Sequence, residues 1–532
     1  MKDPIPQHHH GAADTGGLPR RSFMLGAGAL GLGLPLVGGS VAAQAATATP
    51  KRGGNLRLGM TGGSSSDTIS ASNTVTELDN PRVLALFEPL VSVNRHGVVA
   101  NVLADSFEPN ATATEWTIRL KKGLTFHNGK NVTADDVLFS LRRILDPKAP
   151  LPGATPLAPL DLANAKVMDS LTLRVPMKTP YADFPGGISA PEYFSIVPTD
   201  YDVKNPVGTG PFKYKSFTPG QQSVYVRNEH YWRTGLPYLD TLTIIDFPTD
   251  DAAFQALQGG VIDVFSIAPI ALMSQIGQGG PIKALVSEPG QWVPFTMRVD
   301  SAPFSDVRVR QAMRLLVDRQ QMVDVALGGY GAVGNDVFSP WDSCYDAAAW
   351  KRGRDVDKAK SLLKQAGHAD LSVDLVTSDI ASSAVRMAEV LTQQAQDAGV
   401  KINLRKVTTD VIYGPQYLNW PFSQDWWNYK PYLAQVSMEL LATSPFNETH
   451  WAKYPSYDRY VKLYNQAQAT LDHGKRCDII HEMQKIDYDE GGLIIPCFNK
   501  NIDLMASNVH GFLPSNTGYA LGNFGFADAW IG

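Results

Sequence analysis

The chain has 532 residues, enough for two to four folding units. Hydrophobic residues make up 44% and charged residues 19%, an ordinary globular balance that excludes a disordered chain. A formal net charge of -5 argues against a nucleic-acid partner, and a count of three cysteines excludes a disulfide scaffold.

In chain order, a polar stretch ends at Arg20-Arg21, and an apolar run broken by Gly26, Gly28, Gly31, Gly33 and Pro35 continues to about Val41. Ala43-Gln44-Ala45 then follows the A-x-A cleavage pattern. The run is too interrupted to serve as a permanent span, which needs about 20 apolar residues. The arginine pair ahead of Ser22-Phe23-Met24 resembles a twin-arginine export signal; an ordinary secretory signal is the alternative. Residues 1–45 are therefore expected to be removed on export. No cysteine follows the cleavage point, so no lipid anchor is expected, and no later stretch of about 18 apolar residues suggests a span. The mature chain is expected to be a soluble exported monomer. Gly26–Gly31 fits G-x-G-x-x-G, but it lies in the leader and supports no dinucleotide site.

Asn55–Met60 alternates after Gly53-Gly54 and predicts a first strand, with a glycine- and serine-rich loop at 61–66. Trp116–Leu120 predicts another strand. Thr133 opens a helix with Asp136 at capping-box spacing. Five prolines in 147–160 predict a surface excursion, and strands return at 171–175 and 241–245. The second half alternates helices (306–327, 355–366, 382–398, 457–471, 475–488) with strands at 371–376 and 400–407. Gly367 and Gly399 stand where helix C-termini place glycine. Repeated helix-then-strand order indicates an α/β fold.

The wording and order of these pieces resemble family 5 of the bacterial extracellular solute-binding proteins. The resemblance runs from Gly53-Gly54-Asn55-Leu56-Arg57 through Phe87-Glu88-Pro89-Leu90 and Leu124-Thr125-Phe126-His127-Asn128-Gly129. It continues through Val207-Gly208-Thr209-Gly210-Pro211-Phe212, Arg227-Asn228-Glu229-His230-Tyr231-Trp232 and Pro303-Phe304-Ser305-Asp306-Val307-Arg308. It implies a two-lobed periplasmic-binding-protein-like fold of type II, in the large subtype with an extra subdomain in lobe one. By that analogy lobe one takes 46–296 and is completed by 503–532, and lobe two takes 297–502. It also implies a periplasmic receptor that captures a small peptide or peptide-like solute for the permease and ATPase subunits of an ABC importer. An opine, amine or other non-peptide solute is the first alternative. An exported hydrolase is the second, although no nucleophile–base pair can be named for it.

Six aromatic residues crowd residues 420–432 with turn residues between them, a pattern that fits no single amphipathic face. Trp420, Trp426, Trp427 and Tyr429 are candidate walls for a planar or cationic group, with core packing as the alternative. The resemblance implies that Asp425 holds a ligand amino group, as the corresponding aspartate does in the family's peptide receptors. The flanking Trp426-Trp427 depart from the small and acidic residues usual there, and a cap or surface carboxylate is the alternative. The resemblance adds Trp292, just before the first crossover. Ser378, between a strand and a helix, could meet an anionic group or simply cap, and Thr61 would be lobe one's contribution. No catalytic residue, cofactor or metal site is expected, since the histidines lack metal-ligand spacing and His481-Glu482 lacks the second histidine of H-E-x-x-H. Cys477 and Cys497 could form a disulfide if a strand returns along the helix that carries Cys477, or could be two buried thiols.

Overall fold

The computed structural model describes residues 49–532 apart from 75, 278 and 382. The export leader, with its arginine pair and cleavage pattern, lies outside the described residues.

The predicted first strand becomes Asn55–Thr61, the middle of a seven-stranded sheet. Its alternation sends Leu56, Leu58 and Met60 into the core. It pairs in parallel with Thr241–Phe247 on one side and Val264–Phe265 on the other. Ile502–Ala506, from the far end of the chain, inserts between Val264–Phe265 and Ile282–Val286. The chain's two ends thus build one sheet, whose core includes Tyr519, Phe524 and Phe526.

A second, four-stranded sheet (Ala104–Pro109, Glu115–Leu120, Thr172–Pro176, Lys166–Asp169) packs with the helix Ala134–Ile144 around its own core of Trp116, Ile118, Leu141 and Phe184. The capping box forms: Asp136 accepts from the Thr133 amide at 2.9 Å and from its hydroxyl at 2.7 Å. The proline-rich stretch is less of an excursion than expected. Residues 147–150 are exposed, but Pro156, Leu157 and Leu160 are buried, because the short helix Ala154–Leu157 turns its leucine into that core.

The third body is a five-stranded sheet in the order Lys401–Lys406, Ser372–Thr377, Phe422–Gln424, Phe295–Met297, Leu493–Ile494. The helices Val307–Leu315, Val356–Gln365 and Ala384–Gln396 pack onto it. Gly367 and Gly399 take φ of +78° and +77°, the left-handed turn that stops each helix. The helix expected over 306–327 breaks after Leu315. Asp318 accepts the Gln321 amide at 2.9 Å and starts a new helix, which passes into a π-turn at Met322–Ala326.

Between the seven- and five-stranded sheets the chain crosses twice. Gln291–Trp292 and Cys497–Asn499 are the two crossings, and they pair with each other in a small sheet with Gly331–Val333. Two α/β bodies joined by two crossing strands is the two-lobed architecture that the resemblance implied.

The disulfide differs from the expected one. Cys344 and Cys477 are bonded, with Cα atoms 4.9 Å apart, and Cys497 is a buried free thiol. The strand after the helix His473–Glu490 does not run back along it. Leu493–Ile494 joins the five-stranded sheet and Cys497–Asn499 joins the crossing sheet, so Cys497 is carried away while Cys477 faces the loop holding Cys344. Among the described residues no helix is long and apolar enough to cross a membrane.

Candidate functional site

Phe422–Gln424 is an inner strand of the five-stranded sheet, so Asp425 emerges at the end of a rigid element. Its carboxylate is buried and accepts from the Tyr417 hydroxyl at 2.8 Å, the Tyr413 hydroxyl at 3.2 Å and the Trp426 amide at 2.8 Å. Glu448 lines the same small cavity, together with Tyr417, Trp420, Ser423 and Gln424. Both Glu448 oxygens are buried, with the Asp425 carboxyl and the Trp427 indole N–H as the neighbouring hydrogen-bonding groups. Burial, followed by the charge of Asp425, pushes the Glu448 carboxyl well above the usual range. Burial raises Asp425 too, against the hydrogen bonds it accepts. Glu439 stands behind this pair. One of its oxygens accepts from Gln435 at 2.9 Å and the other is unpartnered, and burial pushes it up to about 8.

The seven-stranded lobe supplies the facing side. Glu192 accepts two contacts from the Tyr519 hydroxyl at 2.7 and 2.8 Å and lies 3.6 Å from the Lys430 ammonium. Lys430 in turn sits over the rings of Tyr193 (5.7 Å) and Trp427 (5.5 Å). Both carboxylate oxygens of Glu77 are buried with the Asn428 side chain beside them, and burial plus the charge of Glu192 push it up to about 8. The segment 428–430 bridges the lobes directly: the Tyr429 amide donates to Thr517 O at 2.7 Å and its hydroxyl to Gly97 O at 3.3 Å. The lobes are shut in this structure. The enclosed space beside Asp425 is about 10 Å³, room for about one water.

The sequence-chosen residues separate into groups. Asp425 and Trp420 share the cavity; Trp420 is fixed by its indole N–H donating to Ile412 O at 3.1 Å. Trp292 and Trp427 are bridged backbone to backbone at 2.9 Å both ways, and their rings stack 6.2 Å apart. Trp292 is only 1% exposed and stacks on Phe338 as well, so its ring serves the packing around the crossing. Trp426 is half-buried against the core of the five-stranded lobe, and Tyr429 is inserted into the core of the other lobe. Ser378 is buried with its hydroxyl unpartnered. Thr61 gives its hydroxyl to Asp250 at 2.8 Å. Sequence reasoning missed Glu77, Glu192, Glu439 and Glu448. None carries a local motif; only Lys430, a lone cation inside the aromatic run, hinted that acids face it.

The family model described as bacterial extracellular solute-binding proteins, family 5 Middle, matches residues 98–457. Heme-binding protein A of Haemophilus influenzae is 24% identical over 469 residues, covering 78% of this chain and 82% of that protein. The nickel-binding periplasmic protein of Escherichia coli is 24% identical, covering 76% and 82%. Glutathione-binding protein GsiB of Pectobacterium atrosepticum is 27% identical, covering 60% and 63%. Among solved structures, the agropinic-acid complex of AgaA from A. tumefaciens R10 superposes with a TM-score of 0.78 at 22% identity, covering 90% of this chain and 99% of that one. DppA from Helicobacter pylori with the peptide STSA gives 0.77 at 18%, covering 90% and 98%. These structural likenesses establish the fold.

Proposed function

The chain belongs to the family-5 bacterial extracellular solute-binding proteins, and from that premise we propose that it traps an amine-bearing, peptide-like solute at the seam of Asp425 and Glu448 for an ABC importer. The observation that carries this reading is the excess of buried acid. Asp425, Glu439 and Glu448 lie buried on one side; on the other Glu192 lies 3.6 Å from Lys430, the cation whose charge also reaches Glu77 and Glu439. Ionising these buried carboxyls is unfavourable, so Glu77, Glu439 and Glu448 keep their protons at neutral pH in the closed, guest-free protein. A cationic guest lets them ionise and pair with it, so closure is more favourable with guest than without it.

The space of about 10 Å³ beside Asp425 is far too small for a dipeptide and is lined by residues of the proposed lobe two alone; we infer that it widens into a guest site when the lobes part. We place lobe one at 46–296 with 503–532, lobe two at 297–502, and the hinge in the crossings through Gln291–Trp292 and Cys497–Asn499. Trp420 and Trp427 would form aromatic walls, and the free Ser378 hydroxyl a polar end. An opine or other non-peptide amine is the second reading, favoured by the indoles that flank Asp425. Residues 1–45 would direct twin-arginine export to the periplasm, with the signal cleaved there.

The test is native mass spectrometry of the mature protein, then thermal-shift and calorimetric titration with basic peptides, opines and simple amines. A specific guest raises the melting temperature with occupancy. If anionic or neutral solutes bind as tightly as cationic ones, the acid-rich seam is not the recognition element.

A further inference from the structure

Away from the seam, the helix His473–Glu490 carries His473, Cys477 and His481 at i, i+4 and i+8, one stripe along its side. The loop with Ser343 and Cys344 lies against that stripe. Donor atoms of Cys344, His473 and Cys477 all fall within 4.8 Å of one another. Both His473 ring nitrogens are 3.8 Å from the Cys477 sulfur, and its Nε2 is 2.9 Å from the Ser343 hydroxyl. One turn on, His481 Nε2 lies 2.7 Å from the Cys344 carbonyl oxygen, holding the loop over the helix.

We propose that Cys344, Cys477 and His473 form a redox-gated zinc site. Two thiolates and one imidazole are a donor set that zinc favours, with a water completing the tetrahedron. His481, gripping the Cys344 backbone, is the positioning group beside it. The electron balance is simple. A dithiol reductant gives two electrons and two protons to the Cys344–Cys477 bond and leaves as its own disulfide. Each new thiol then loses its proton to solvent as its sulfur takes up Zn²⁺. His473 is exposed, so metal reaches the donors from water. Disulfide and zinc are alternative staples for one loop. That loop also feeds the seam: Trp341 donates to Pro289 O at 2.7 Å, and Asp342 accepts the Tyr432 amide at 2.8 Å.

The mature chain is reduced with a dithiol, desalted under argon and titrated with zinc chloride against a chelating dye, with circular dichroism recorded throughout. Reduced protein takes one tightly bound Zn²⁺ per chain, and cobalt(II) in its place shows a thiolate charge-transfer band. The oxidised chain and the reduced Cys344→Ser/Cys477→Ser double variant take none there. His473→Ala, which keeps both thiols, binds at least tenfold more weakly, while Cys497→Ser is unchanged. If reduction loosens the fold, zinc restores it. Zinc uptake by the double variant, unchanged affinity in His473→Ala, or no uptake and no restoration in the reduced chain each overturns the proposal.

Discussion

Two buried polar clusters differ in how their charge is compensated. In the seven-stranded lobe, Arg82 is fully buried and meets Asp67 at 2.9 Å, Asp246 at 2.5 Å, Asp79 at 3.5 Å and the Ser223 hydroxyl at 3.2 Å. Its guanidinium is the centre that these carboxylates share. Even so, one Asp246 oxygen stays unpartnered and burial pushes its carboxyl up to about 6, so both clusters are rich in acid and differ in how closely one cation gathers it. At the seam Glu192 lies 3.6 Å from the Lys430 ammonium, Glu77 and Glu439 feel its charge, and Asp425 and Glu448 interact with each other. In the proposed reading the Arg82 cluster, whose guanidinium touches all three acids, holds the fold, while the seam, whose acids are not gathered on one cation, receives a guest.

The sharpest way to break that contrast is to remove the centre of the paired cluster. Arg82→Ala leaves Asp67 and Asp246 buried and uncompensated and should cost about 3–5 kcal/mol of stability in urea titrations. Guest affinity in the surviving folded protein should not change; a loss would mean the two clusters are one. Asp425→Asn is the mirror experiment. It should weaken a cationic guest by about 3 kcal/mol, on the order of a hundredfold in calorimetry. Unfolding should barely move, because an amide keeps the Tyr417 contact.

Glu448→Gln should act more mildly and in two directions. Affinity falls about tenfold, equivalent to about 1.4 kcal/mol, while stability holds or rises because a buried acid is removed. Titrating the seam tests the same idea through protons. Glu77 and Glu439 are pushed up to about 8 by burial and by neighbouring acids, so at neutral pH the closed, guest-free protein keeps protons that an open or unfolded chain releases. Closure without guest is thus favoured at acid pH and weakens as pH rises from the ordinary carboxyl range through about 8. The groups facing Glu77 are Glu192, Lys430, Asn428 and Asp503. A cationic guest reverses the shift, so binding should release about one proton near neutrality. Calorimetry in buffers of different ionisation heat measures that number, and proton uptake would contradict it. The smallest effect is expected at Thr61. Its hydroxyl is committed to Asp250, so Thr61→Val should cost about 1 kcal/mol of stability and leave affinity unchanged. A large affinity loss would return Thr61 to the seam.

Much of the fold was legible one segment at a time. Leu56, Leu58 and Met60 alternate, Thr133 and Asp136 form a capping box, and Gly367 and Gly399 end helices, because each of these effects acts within a few residues. The expected helix over 306–327 failed at Asp318, whose carboxylate could either decorate a helix or begin one; the chain position alone does not say which. Asp425 was legible through the wording around it. Its partner Glu448 was not.

The linear chain determined the α/β class and the order of most elements, since periodicity, caps and turns are properties of neighbouring residues; the division into two lobes came from the family resemblance. Only the tertiary structure decided that Cys477 bonds Cys344 rather than Cys497, that Tyr429 plugs the opposite lobe, and that acids from positions 77, 192 and 439 come within reach of Lys430. Charge compensation and thiol pairing depend on distances across the folded body. Those distances are set by how the sheets and their crossings pack, and sequence separation does not encode them.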